Sequence, residues 1–219
     1  MNSNLPGLSL LALSLLASLA YGFWLTRRPV GLLRSATKVA ATGFLALAAL
    51  DIGGPWSLFS ALLFCAIGDG FLSRDGERAF LAGMGAFAIG HGLFIALFLR
   101  LGADPGYLAE RWLAAPALLV LAGLMLALLW PRLGGLRWPV AGYVAVIAAM
   151  GLAALALPPP RVLALAGALA FVLSDAILAA ELFLLPETAP ARRITPHLVW
   201  LFYWGGLVLI AAGVLLPPG

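Results

Sequence analysis

Charged residues are scarce in this chain: they make up 10% of its 219 residues, while 63% are hydrophobic. A soluble domain of this length needs far more polar surface, so the composition excludes an ordinary globular fold and points to an integral membrane protein. No long polar segment is present from which a second domain could fold, and one transmembrane helical domain over residues 1–219 is expected. Cysteine occurs once, as Cys65, which excludes a disulfide within the chain and leaves packing as its role in an apolar helix. Histidine occurs twice, at His91 and His197, and there is no HExxH motif. A dense zinc site is therefore not expected, and neither a metal nor a cofactor is assigned; His91 with two aspartates is the one donor set left open. Lysine is almost missing too: all but one of the 13 basic residues are Arg, and they gather in short loops. The net charge of +4 then reads as a topology signal, and no nucleic-acid partner is expected.

What the chain does have is a series of apolar runs of membrane length. Eight helical spans are predicted, at about residues 7–25, 34–49, 55–72, 79–101, 112–130, 138–157, 161–184 and 198–216. The fold class is an all-α polytopic bundle, with the lipid bilayer as its partner. The first run lacks a basic leader, and Tyr21, Phe23 and Trp24 ahead of Arg27-Arg28 suit an interface anchor, so it is read as a span. The second span is the shortest. A polar loop with Asp104, Pro105, Gly106 and Glu110 precedes the fifth span, and the loop PETAPARRITPH precedes the eighth.

Loops after odd-numbered spans hold Arg27, Arg28, Arg34, Arg74, Arg78, Arg132, Arg137, Arg192 and Arg193, against Arg100, Arg111 and Arg161 on the other side. The positive-inside rule places both termini outside and the Arg-rich loops in the cytoplasm, as in a bacterial inner membrane.

Two acids interrupt apolar runs: Asp69 in LFCAIGDGFL and Asp175 in GALAFVLSDAIL. Each lies between small residues (Gly68 and Gly70, Ser174 and Ala176), with Leu72 or Leu178 three positions on. An ionised side chain at such a place costs on the order of a few kcal/mol unless it is paired or hydrated. Each acid lies 14 residues into its predicted inward-running span, about 21 Å along the helix and within the cytoplasmic half. Lys38 and Tyr203 fall near the cytoplasmic ends of the second and eighth spans, and His91 near the midplane. Polar groups at similar levels on several spans suggest one shared site, open to the cytoplasmic leaflet. The acids stand on the third and seventh spans, as a duplicated four-helix unit with parallel repeats would place them.

Each of these residues carries two readings. Functionally, Asp69, Asp175, His91 and Tyr203 are candidate catalytic residues, and Lys38 and Ser174 are candidates for substrate binding. Structurally, the acids bond to a neighbouring helix or pair with Lys38, and Lys38 itself snorkels to the interface. His91 shares a face with Gly83, Phe87 and Gly90, a pattern that also serves close helix packing. Tyr203 and Trp204 suit an aromatic belt, Glu181 a solvated interface acid, and His197 a loop.

Six features stand in a specific order: Lys38 near the start of the second span; GDxxL at Gly68, Asp69 and Leu72; GxFxxxH at Gly85, Phe87 and His91; Arg137-Trp138-Pro139; GAxxFxxSDxxL at Gly167, Ala168, Phe171, Ser174, Asp175 and Leu178; and the Tyr203 region. In these the chain resembles the YhhN/lysoplasmalogenase family of eight-helix membrane proteins. One departure is visible: family members often carry Gln or His after the last tyrosine, where this chain has Gly206 or Leu207.

The resemblance implies a hydrolase acting on a lysophospholipid. It would cleave the vinyl-ether bond of lysoplasmenyl-ethanolamine or -choline to a fatty aldehyde and a glycerophospho-base, without a cofactor. A carboxylic acid would protonate the vinyl ether, while a second carboxylate stabilises the resulting cation and activates water. Lys38 would bind the phosphate, and His91 and Tyr203 would orient the ether or water. Two other readings stand beside this one. A proton-coupled transporter also places acids in a repeated bundle, and a lipid-binding or sensing protein would need no turnover.

Overall fold

The computed structural model describes residues 5–216, and these are helical almost throughout. The helices are α1 (Leu5–Ala20), α2 (Leu32–Asp51), α3 (Trp56–Leu72), α4 (Glu77–Arg100), the short α5 (Pro105–Glu110), α6 (Ala114–Leu129), α7 (Arg137–Leu155), α8 (Val162–Phe183) and α9 (Thr195–Leu215). Seven of the eight substantial helices are long and apolar enough, with their flanking turns, to cross a membrane. The eighth, α3, is apolar and has 17 residues, roughly 26 Å of helix.

Three expectations change at the boundaries. The second span is not the shortest: it fills 20 residues, starting from an extended Gly31 and ending before Gly53, whose φ of +91° suits glycine in a turn. The stretch before the fifth span contains α5, where the Asp104 Oδ1 accepts from the Gly106 N–H at 2.7 Å and Pro105 opens the helix. The last helix begins at Thr195, with Pro196 in its first turn, so His197 lies in a helix and not in a loop.

The described residues form two compact units that divide after Leu97, residues 214–216 belonging with the first. In the first unit α2 packs against both α1 and α3. Its buried face reads Ala41, Thr42, Leu45, Ala46, Ala48 and Ala49, mostly small residues that let helix axes approach. The Ser14 hydroxyl donates to the Ala41 carbonyl at 2.6 Å, joining α1 to α2. Beyond Ala20 the helix widens into a π-turn, Tyr21–Leu25, closed by the Thr26 N–H on the Tyr21 carbonyl at 2.9 Å. Glycines bring α4 onto α3: Gly83 lies against Leu72, and Gly90 against Cys65 and the Ala61 carbonyl.

In the second unit α7 packs between α6 and α8, with Gly151 against Leu118. Helices α8 and α9 meet backbone to backbone, Gly167 against Gly206 and Gly213 against Ala164. Arginines close the helix ends. Arg111 donates to the carbonyls of Leu155, the last residue of α7, and of Leu157 beyond it, and Arg161 to that of Gly213 in α9 at 2.9 Å. Arg192 reaches back from the α8–α9 turn to the carbonyls of Glu181 (2.6 Å), Leu185 (2.9 Å) and Pro186 (3.1 Å). The last carbonyls of a helix have no partner within it, and near a membrane such cationic caps satisfy them.

Candidate functional site

In the first unit the polar centre is Asp69. It lies 13 residues beyond the first residue of α3 (69 − 56) and has no exposed surface. A carboxylate so placed must have partners, and α2 supplies them from one face. Lys38 Nζ lies 3.0 Å from Oδ1, while the Thr42 hydroxyl, one helical turn on, donates to Oδ2 at 2.8 Å. Lys38 also stands 6.0 Å from the centre of the Tyr21 ring, which the π-turn carries, within cation–π range. Beside the acid, Gly68 leaves room for Phe87 of α4: a Cβ there would lie 2.6 Å from that ring. His91, one turn beyond Phe87, is fully buried.

In the second unit Asp175 also lies 13 residues beyond the start of its helix (175 − 162). It is partly exposed, and its Oδ2 accepts a short hydrogen bond from the Tyr143 hydroxyl of α7. Ser174 is buried and turns the other way, its hydroxyl donating to the Val199 carbonyl of α9 at 2.9 Å. Tyr203 is buried and not part of an interfacial belt: its ring meets Phe171 edge-on at 5.2 Å and Trp200 at 5.7 Å. Glu181 is half-buried, with Oε2 out of reach of solvent.

The structure thus brings Lys38 and Asp69 together, and gives Asp175 a partner that the sequence reading passed over. Tyr143 was open to detection, as a lone phenol within AGYVAVIAAM; Thr42 was open to detection as the residue one turn from Lys38. The departure after Tyr203 has a packing cause. A Cβ on Gly206 would lie 2.7 Å from the Gly167 carbonyl and 3.2 Å from the Phe171 nitrogen, and Leu207 is fully buried. Among the described residues, no three His, Cys, Asp or Glu side chains gather closely enough to hold a metal ion.

An all-helical chain with membrane-length spans, Asp175 set within one of them, defines a polytopic integral membrane protein. Residues 33–214 match the YhhN family, and the chain belongs to that family. It is 34% identical over 215 residues to the lysoplasmalogenases of Mycobacterium bovis and Mycobacterium tuberculosis, covering 90% of this chain and 80% of each relative. It is also 34% identical over 165 residues to lysoplasmalogenase TMEM86A of Bos taurus, covering 70% of this chain and 63% of that protein. No solved structure matches the chain.

Proposed function

We propose that this protein hydrolyses the vinyl-ether bond of lysoplasmalogens bearing ethanolamine or choline, releasing a fatty aldehyde and a glycerophospho-base. The observation that carries the reading is Asp175, a partly exposed carboxyl inside a membrane helix and held by a hydroxyl. Its weight comes from the surrounding sequence, 34% identical over most of its length to proteins named lysoplasmalogenase.

The chemistry suits carboxyl groups. A proton added to the β-carbon of the vinyl ether gives an oxocarbenium cation. Water adds to its carbonyl-type carbon, the hemiacetal loses the glycerol oxygen as an alcohol, and the proton is returned. In this reading Asp69 and Asp175 divide the work, one carboxyl delivering the proton and one carboxylate stabilising the cation. The related division in glycosidases rests on a similarly cationic transition state. Lys38 contributes a point charge for the phosphate, Ser174 serves binding by fixing α8 against α9, and His91 and Tyr203 orient the ether or the water. No cofactor takes part. The apolar tail enters from the lipid, and the chain works as one domain with both termini outside a bacterial cytoplasmic membrane.

Transport is less well supported. Carriers of this kind use helices broken at mid-membrane, whereas α2, α3, α7 and α8 run unbroken through the levels of the acids and their partners. The test is aldehyde release from lysoplasmenylethanolamine by purified protein in detergent, beside Asp69→Asn and Asp175→Asn. Release by the wild type and its loss in both folded variants is expected. A wild type that binds the lipid but releases nothing would instead indicate a sensor.

A further inference from the structure

The two acids share a register, yet their surroundings differ. Each lies 13 residues into its helix, and each is reached from the preceding long helix: Asp69 from Lys38, Asp175 from Tyr143. The partners are 31 (69 − 38) and 32 residues upstream. Asp69 has zero exposure, a hydroxyl donor on Oδ2 and, on Oδ1, an ammonium whose charge favours the anion. Asp175 retains exposed surface, and its Oδ2 is engaged by a neutral phenol.

We propose that the two acids are inequivalent: Asp175 is the carboxyl that exchanges protons with substrate, with Tyr143 as its positioning residue, and Asp69 is a permanent carboxylate held by Lys38 and Thr42. This rests on the hydrolase reading for the identity of the reaction, but the inequivalence itself does not depend on any substrate. In the reaction Asp175 gives its proton to the β-carbon and becomes a carboxylate. It then takes a proton from the water that attacks the cation, so the cycle closes without another reagent. A carboxylate that swings about its Cβ–Cγ bond would miss the β-carbon, and the Tyr143 hydroxyl fixes that rotation through Oδ2. The ring stands on α7, so the fixing comes from a separate helix.

A carbodiimide tests this on the whole protein in detergent, because it adds only to protonated carboxyl groups that it can reach. Peptide mass spectrometry of dicyclohexylcarbodiimide-treated protein is expected to find the adduct on Asp175 and not on Asp69. Tyr143→Phe keeps the ring and removes only the donor. It is expected to label Asp175 faster, and to lower kcat by about 10- to 100-fold while leaving KM within about twofold. A purely structural role for the phenol would instead lower the melting temperature without either change. Labelling of Asp69 at the rate of Asp175, or a Tyr143→Phe protein that matches wild type in labelling and kcat, would overturn the proposal. Should the wild type release no aldehyde, the hydrolase reading fails while the labelling still decides between equivalent and inequivalent acids.

Discussion

Ser174 and Asp175 are neighbours in the chain, yet they bond to different helices: Ser174 donates to Val199 of α9, and Asp175 accepts from Tyr143 of α7. One residue along a helix is about 100° of rotation, so adjacent polar side chains serve two interfaces. Here one ties α8 to the last helix, and the other presents a carboxyl to the helix before it.

Removing only one member of the Lys38–Asp69 pair should be worse than removing both. Lys38→Met leaves a fully buried carboxylate without its ammonium, at a cost of about 3–5 kcal/mol. The double variant Lys38→Met/Asp69→Leu should recover much of that, and Thr42→Val should cost only about 1 kcal/mol. Reversible unfolding in mixed micelles measures all three, and additive single effects would contradict the pairing.

Gly205 and Gly206 should respond in opposite ways. An added Cβ at Gly205 meets nothing within 4 Å, whereas at Gly206 it meets the Gly167 carbonyl and the Phe171 nitrogen. Gly205→Ala should leave the melting temperature unchanged or raise it. Gly206→Val should destabilise by about 1–3 kcal/mol or more, because the opposing atoms are backbone. Thermal melts of the two variants side by side check this.

Arg111 should matter for stability although it lies outside the spans. Arg111→Met removes the donor shared by the Leu155 and Leu157 carbonyls, and the expected loss is about 1.5–3 kcal/mol. Hydrogen exchange by mass spectrometry should show the added opening confined to the end of α7. A loss spread evenly over the chain would count against the capping role.

How much of this was legible in the sequence differs by level. The spans were, because a 63% hydrophobic chain of this length has little else to do than fill a membrane. The acids were, because a carboxylate in an apolar run is expensive wherever the helix turns. Their partners were only half legible. Lys38 stood out as the single lysine, but Tyr143 and Thr42 are visible as partners only once helix rotation is known. Nearly uniform apolar helices such as α7 give no periodicity from which to read a face. Rotation is fixed by close approaches such as Gly68 against Phe87, which depend on both helices at once. The start of α9 was misplaced for a similar reason, since Pro196 reads equally as a loop residue or as a helix opener.

The measurement that bears most directly on the central claim follows oxygen through the reaction. Purified protein is given lysoplasmenylethanolamine in water enriched in oxygen-18, and both products are weighed by mass spectrometry. Protonation at the β-carbon followed by water attack breaks the vinyl carbon–oxygen bond, so the glycerol oxygen stays where it was. The account predicts fatty aldehyde together with glycerophosphoethanolamine that carries no oxygen-18. Oxygen-18 in the glycerophosphoethanolamine, or no aldehyde at all, would contradict it.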